Sequence, residues 1–264
     1  MNIGALIIGD EILSGRRSDA HLAKTIELLG ERGLRLSWAR YVGDEPERIT
    51  AALKDAFDSG DLVFSFGGIG ATPDDHTRQC AGAALGRPLV LHPQARELIM
   101  ERVRAMAAEH GWASDPEHPD TLRRLEMGVF PEGAEIVPNP YNKIPGFSVG
   151  TVYFVPGFPV MAWPMLAWVL DTRHADLHGQ DVQTERAVVV YGAMEASLTP
   201  LMVDIEARFP GIKVFSLPSV DHPVHGRHID LGVKGEAQAS AQAYAALIQG
   251  LRDLRAPLGP ESVR

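Results

Sequence analysis

With a single cysteine in 264 residues, Cys80, the chain can form no internal disulfide, which fits a reducing, cytoplasmic location. Basic side chains are in deficit: 25 Lys and Arg against 34 Asp and Glu give 25 − 34 = −9. That balance argues against a nucleic-acid partner bound by phosphate neutralisation. Long apolar runs are missing too. Residues 160–170 are too few to span a bilayer and include Pro164, so no membrane partner is expected. The opening Met1-Asn2-Ile3-Gly4-Ala5-Leu6-Ile7-Ile8 lacks the basic head and cleavage site of an export signal and reads as a strand. Internal repeats and low-complexity tracts are absent. Apolar residues are abundant: a 45% hydrophobic share can build one large domain, or one medium and one small.

Strands alternate with helices along the first two thirds. After the strand at residues 3–8, Leu22, Ile26 and Leu29 mark one face of a helix between Ser18 and Gly33. Residues 34–42 read as the next strand, with Leu34, Leu36 and Trp38 alternating against polar neighbours. Pro46 suits a first helical position; Ile49, Leu53, Ala56 and Phe57 give that helix a buried face, and Gly60 closes it. Residues 61–66 form a short apolar run of the buried parallel type. Repeated strand–helix–strand units predict an α/β fold: a three-layer, mostly parallel sheet with helices on both faces, which binds ligands at the carboxyl ends of its strands. Polar residues replace core patterning at 176–184, which sets a boundary between a domain at 1–175 and a small α+β domain at 185–256. Within the latter, His222, His225 and His228 are candidate metal ligands with no evident fourth, so a structural role is favoured.

The richest stretch is Ser65-Phe66-Gly67-Gly68-Ile69-Gly70-Ala71-Thr72-Pro73-Asp74-Asp75-His76-Thr77. It leads from a strand into a helix whose apolar face carries Cys80, as a core thiol, and which Gly86 and Pro88 end. Gly67, Gly68 and Gly70 allow backbone amides to approach an oxygen-rich ligand, and Thr72 lies in the same loop; the helix N-terminus favours an anion. Asp74 and Asp75 would repel that anion unless a divalent cation such as Mg²⁺ lay between them. The structural alternative is a tight turn with Asp74 as helix cap. Asp10 and Glu11 follow the first strand and Asp44 the second, so these acids are expected on one rim with Asp74 and Asp75.

This string, with Gly9-Asp10-Glu11-Ile12-Leu13-Ser14-Gly15, Val42-Gly43-Asp44-Glu45 and Val155-Pro156-Gly157-Phe158-Pro159, resembles the molybdopterin-binding fold of molybdenum-cofactor biosynthesis proteins. Order and spacing are most similar to the N-terminal part of the competence/damage-inducible protein A (CinA) family. The resemblance implies metal-dependent pyrophosphate hydrolysis of a nucleotide such as ADP-ribose, with metal on Asp44, Asp74 and Asp75, and Asp44 and Asp75 as the catalytic pair. Two alternatives stay open: molybdopterin binding or adenylyl transfer, and a non-catalytic ligand-binding or oligomerisation module. A phosphorylated nucleotide or a pterin is the expected partner, and relatives imply a homo-oligomer. Lys143 is a candidate phosphate contact and Asn139 a polar anchor, in a loop where Asn142, Lys143 and Ile144 replace the family's small residues. Ile69, Ala71, His21 and Phe66 also depart from the usual pattern, while every carboxylate is kept. The C-terminal deamidase domain of longer relatives is not expected here.

Overall fold

A computed structural model describes residues 1–111, 115–179 and 183–263 and divides into two compact units, Met1–His178 and Gly179–Arg264. Of the boundary stretch expected from sequence, residues 180–182 lie outside the described ones. The first unit runs β1 (Ile3–Ile8), α1 (Asp10–Leu13), α2 (His21–Gly30), β2 (Trp38–Val42), α3 (Pro46–Ser59), β3 (Leu62–Phe66), α4 (Thr77–Leu85) and β4 (Leu89–Leu91). It continues with α5 (Pro93–His110), α6 (Pro119–Glu126), β5 (Val129–Pro131), β6 (Glu135–Val137), β7 (Gly146–Val149), β8 (Val152–Val155) and α7 (Pro159–Arg173).

Six of these strands form a sheet ordered β2-β1-β3-β8-β7-β6. β2, β1, β3 and β8 are parallel; β7 runs antiparallel to β8, and β6 to β7. The period of two along β1 sends Leu6 and Ile8 to one face, against Ile49, Leu53 and Ala56 of α3 and Cys80 and Ala81 of α4. Ile3, Ala5 and Ile7 meet Leu28 and Leu29 of α2 and Met165, Leu166 and Val169 of α7 on the other. The sheet is thus covered on both faces. The strand expected at 34–42 begins only at Trp38. Leu34 and Leu36 pack in the α2–α7 layer, while Trp38 packs in the opposite one, its indole lying across Gly4, where a Cβ would collide with the ring.

The second unit runs β9 (Thr184–Tyr191), α8 (Glu195–Arg208), β10 (Lys213–His222), β11 (Gly226–Gly235), α9 (Ala237–Asp253) and β12 (Leu258–Val263). Its antiparallel sheet has the order β10-β11-β9-β12. One face, with Val188, Val190, Leu231 and Val233, packs on Leu198 and Ile205 of α8 and Ala243, Leu247 and Leu251 of α9. β12 adds an edge strand beyond residue 256, the expected limit of the small domain; its Gly-Pro-Glu run carries no strand pattern, and a register shift breaks its pairing between Leu258 and Glu261. Among the described residues no helix is long and apolar enough to cross a membrane.

Candidate functional site

Because β1, β2, β3 and β8 run the same way, the segments that follow them share one rim of the first sheet. Backbone bonds tie these segments down: the Gly9 amide donates to Val42 O at 3.0 Å and the Gly67 amide to Val155 O at 3.1 Å. Gly67 and Gly68 adopt positive φ, 97° and 68°, which turns the chain sharply out of β3. The turn is closed by Thr77, whose amide donates to Gly68 O (3.0 Å) and whose hydroxyl donates to Gly67 O (3.1 Å).

Each glycine also sits against a particular neighbour. A Cβ would collide with Ile8 O at Gly67, with the Thr77 hydroxyl at Gly68 and with the Asp75 carboxylate at Gly70. The glycine spacing is therefore required by the loop's own packing as well as by any ligand. Since the Gly67 amide serves the sheet, the expected donor set narrows. Among the described residues the amides of Gly68, Ile69, Gly70 and Ala71 have no protein acceptor.

The acids divide into two groups. Asp10 and Asp44 clasp each other through the main chain: the Asp10 amide donates to Asp44 Oδ2 (2.9 Å) and the Asp44 amide to Asp10 Oδ1 (3.2 Å). Gly43 makes room, since a Cβ there would stand 2.5 Å from Asp10 Oδ1. Burial pushes the Asp44 carboxyl above its ordinary value; the Asp10 amide opposes this, and the charges of Asp10, Glu11 and Asp74 reinforce it. Asp74 moves the other way, held low by hydrogen bonding with Thr72 and then by its own amide.

Asp75 is not the cap of α4. That helix starts at Thr77 after His76 without a side-chain cap, and Asp75 Oδ2 instead accepts from the Thr72 amide (2.8 Å) and hydroxyl (2.5 Å). Asp74 does not cap it either. No group of three or more His, Cys, Asp or Glu is spaced to hold a metal ion among the described residues, so Asp44, Asp74 and Asp75 do not form a three-ligand set. Part of the repulsion that called for a metal is met by these backbone and hydroxyl donors.

Lys143, with φ of 65°, pairs with Glu101 of α5. Asn139 is buried, and its side chain bonds only within its own loop: Nδ2 donates to Asn142 Oδ1 (2.8 Å) and Ile144 O (2.9 Å), and Oδ1 accepts from the Tyr141 amide (3.0 Å). Asn139 shapes that loop. Arg123 pairs with Asp120 at 3.6 Å, and Arg124 donates to Asp120 O at 3.5 Å, along α6.

Two residues of the rim gain a role that the sequence did not assign: Arg78, which no motif marked, and His21, marked only as a departure from the family pattern. Arg78, only 4% exposed, reaches from α4 to Gly70 O of the glycine loop (2.5 Å) and to Glu126 O, and its Nε has no partner among the described residues. His21 is buried, stacks on Phe66 at 4.6 Å and joins Gly157 O through Nε2 at 3.1 Å, which couples the start of α2 to the Pro156–Pro159 segment. Burial lowers its pKa and its Nδ1 is unpartnered. Their signals were an arginine on an apolar helix face and a histidine beside a glycine loop, neither specific in one sequence.

The family description "Probable molybdopterin binding domain" matches residues 4–175. A CinA-like protein of Syntrophotalea carbinolica is 33% identical over 220 residues, 79% of this chain and 51% of the relative. One from Mycolicibacterium paratuberculosis is 29% identical over 95% of this chain and 59% of the relative. The chain thus spans a little over half the length of these curated relatives. A crystal structure described as the protein CinA with unknown function, from Thermoplasma acidophilum, superposes with a TM-score of 0.53 at 28% identity, covering 64% of this chain and 96% of that one.

Proposed function

The chain belongs to the probable molybdopterin binding domain family, and from that premise we propose that its first unit binds a phosphorylated nucleotide or pterin at the rim and hydrolyses a pyrophosphate bond in it, with an ADP-ribose-like substrate. The observation that carries the reading is the pairing of donors and acids across the rim. Amides from Gly68 to Ala71, without a protein acceptor among the described residues, follow β3 on the same rim as the Asp10–Asp44 clasp, and Arg78 braces the loop at Gly70 O. Amides of this kind bind phosphate oxygens and carry charge that develops during phosphoryl chemistry.

In this reading Asp44 and Asp75 are the catalytic pair, Asp44 in the clasp with Asp10 and Asp75 on the Thr72 amide and hydroxyl of the glycine loop. Mg²⁺ is commonly held by one or two carboxylates together with substrate phosphates, so the absent three-ligand set is no obstacle; Asp44, with Asp10 beside it, would hold such an ion, which would neutralise phosphate charge.

The test is a panel of ADP-ribose, NAD, ATP and FAD with Mg²⁺, Mn²⁺, Co²⁺ or EDTA, read as AMP release. Release from ADP-ribose that EDTA abolishes is expected. No release from any substrate, with tight binding of a pterin, would replace this reading with molybdopterin binding or adenylyl transfer. Absence of both would leave a non-catalytic module.

A further inference from the structure

The face of the second sheet opposite α8 and α9 holds a cavity of roughly 280 Å³. Register explains it. Leu217, Asp230 and Val189 stand in one cross-strand row, and Phe215, Gly232 and Ala187 in the next. The Phe215 ring lies over Gly232, where a Cβ would collide with it. Although no helix among the described residues covers this face, Ala187 and Val189 are only 9% and 7% exposed. Their cover comes from Phe215, from the β10–β11 hairpin tip and from Pro260, Glu261 and Ser262 of β12, all lining the cavity.

Besides three histidines, the charged lining is acidic: Glu185, Asp230 and Glu261, with no Lys or Arg among the described residues. Lys234 neutralises Glu185 at 2.5 Å, whereas among the described residues neither Asp230 nor Glu261 has a Lys or Arg partner: Asp230 faces the His228 ring and Glu261 interacts with the Tyr244 hydroxyl. The hairpin histidines supply a second feature. His228, with a side chain 2% exposed, joins Gly226 O through Nδ1 at 2.9 Å. A carbonyl only accepts, so Nδ1 carries a proton; Nε2 stands 3.8 Å from Asp230 Oδ2 and accepts when the ring is neutral. His222 Nδ1 accepts from the Val224 and His225 amides (3.3 and 3.1 Å), and His225 Nδ1 meets Tyr191 Oη at 3.0 Å. The three rings pack on one another with centroids 4.9 to 5.6 Å apart, yet the described residues contain no group spaced to hold a metal.

We propose that this cavity binds a small organic cation, with an ammonium head between Asp230, Glu261 and the His228 lone pair and an apolar or aromatic body against Val189, Phe215 and Leu217. Carboxylates without a basic Lys or Arg partner and a neutral imidazole nitrogen keep free acceptor capacity, and an ammonium only donates hydrogen bonds. The apolar floor and a volume many times the roughly 30 Å³ share of one water molecule favour an organic body over a bare ion.

The experiment titrates the full chain at pH 8 with 2-phenylethylamine, 2-phenylethanol, phenylacetate and Zn²⁺, followed by calorimetry and by amide shifts in ¹⁵N spectra. The amine should bind with shifts confined to β9–β12, the alcohol about tenfold more weakly and phenylacetate not at all. Asp230→Asn, at a half-exposed side chain, should weaken the amine by about tenfold or more, as loss of a charged hydrogen bond does. Glu261→Gln is the second variant should the first fail to fold. Equal binding of alcohol and amine, binding of Zn²⁺ with none of the amine, or unchanged amine affinity in both folded variants would each overturn the proposal.

Discussion

The two sheets treat their faces differently. In the first unit helices cover both faces, and β1, β3, β7 and β8 are buried at every position. A ligand is left only the rim, where strands end and glycines turn the chain. In the second unit two helices cover one face, so the ligand-sized space lies on the other. Coverage decides where chemistry can occur: a parallel sheet built by crossovers gives up its faces and keeps its strand ends, while an antiparallel sheet keeps a face.

The largest effect that would sharpen this contrast is in the doubly covered layer. Phe154 is fully buried and stacks on Phe147 at 4.3 Å, so Phe154→Ala should cost about 3–5 kcal/mol. Leu217→Ala, on the open face of the second sheet and 59% exposed, should change stability by no more than about 0.5 kcal/mol. Calorimetry of both variants checks this, and comparable losses would mean that the second face is covered as well.

Next is Asp75→Asn. If Asp75 belongs to the catalytic pair, the rate of AMP release should fall by about 10²-fold, the scale of removing one proton-transferring group. The melting temperature should stay close to the wild type, since Asn also accepts from Thr72. A variant that melts early but keeps its rate per folded molecule would reduce Asp75 to a clasp on Thr72. Gly68→Ala comes third: a positive φ and the Thr77 hydroxyl make any Cβ costly, by about 1–3 kcal/mol. Urea titration measures it, and an unchanged midpoint would show that the loop relaxes freely.

The smallest effect concerns pH. A carboxyl with a raised folded pKa, as at Asp44, binds its proton more tightly in the folded chain than in the unfolded one. Stability contributed by that proton is present at low pH and lost as pH rises from the ordinary carboxylate value through the raised one. Asp44→Asn should flatten the dependence of melting temperature on pH across that window and leave the neutral-pH value unchanged or slightly higher. An unaltered profile would show that Asp44 is not the strained acid of the rim.

The sequence by itself determined the alternation of elements, because periods of two and 3.6 with Pro46, Gly60 and Gly86 as punctuation are local signals. It also marked the glycine loop and the acids of the rim, whose strand-end positions follow from a parallel sheet. Tertiary structure alone decided what each group does there. The Gly67 amide is taken by Val155, Asp75 turns to Thr72, Asn139 closes its own loop, Arg78 enters the rim from a helix whose pattern gave no warning, and His21, marked only as a departure from the family pattern, joins Gly157. The cavity of the second unit was hidden for the same reason. Hydrogen-bond partners and the cover over a sheet face are set between segments distant in the chain, and spacing along one segment carries no record of them.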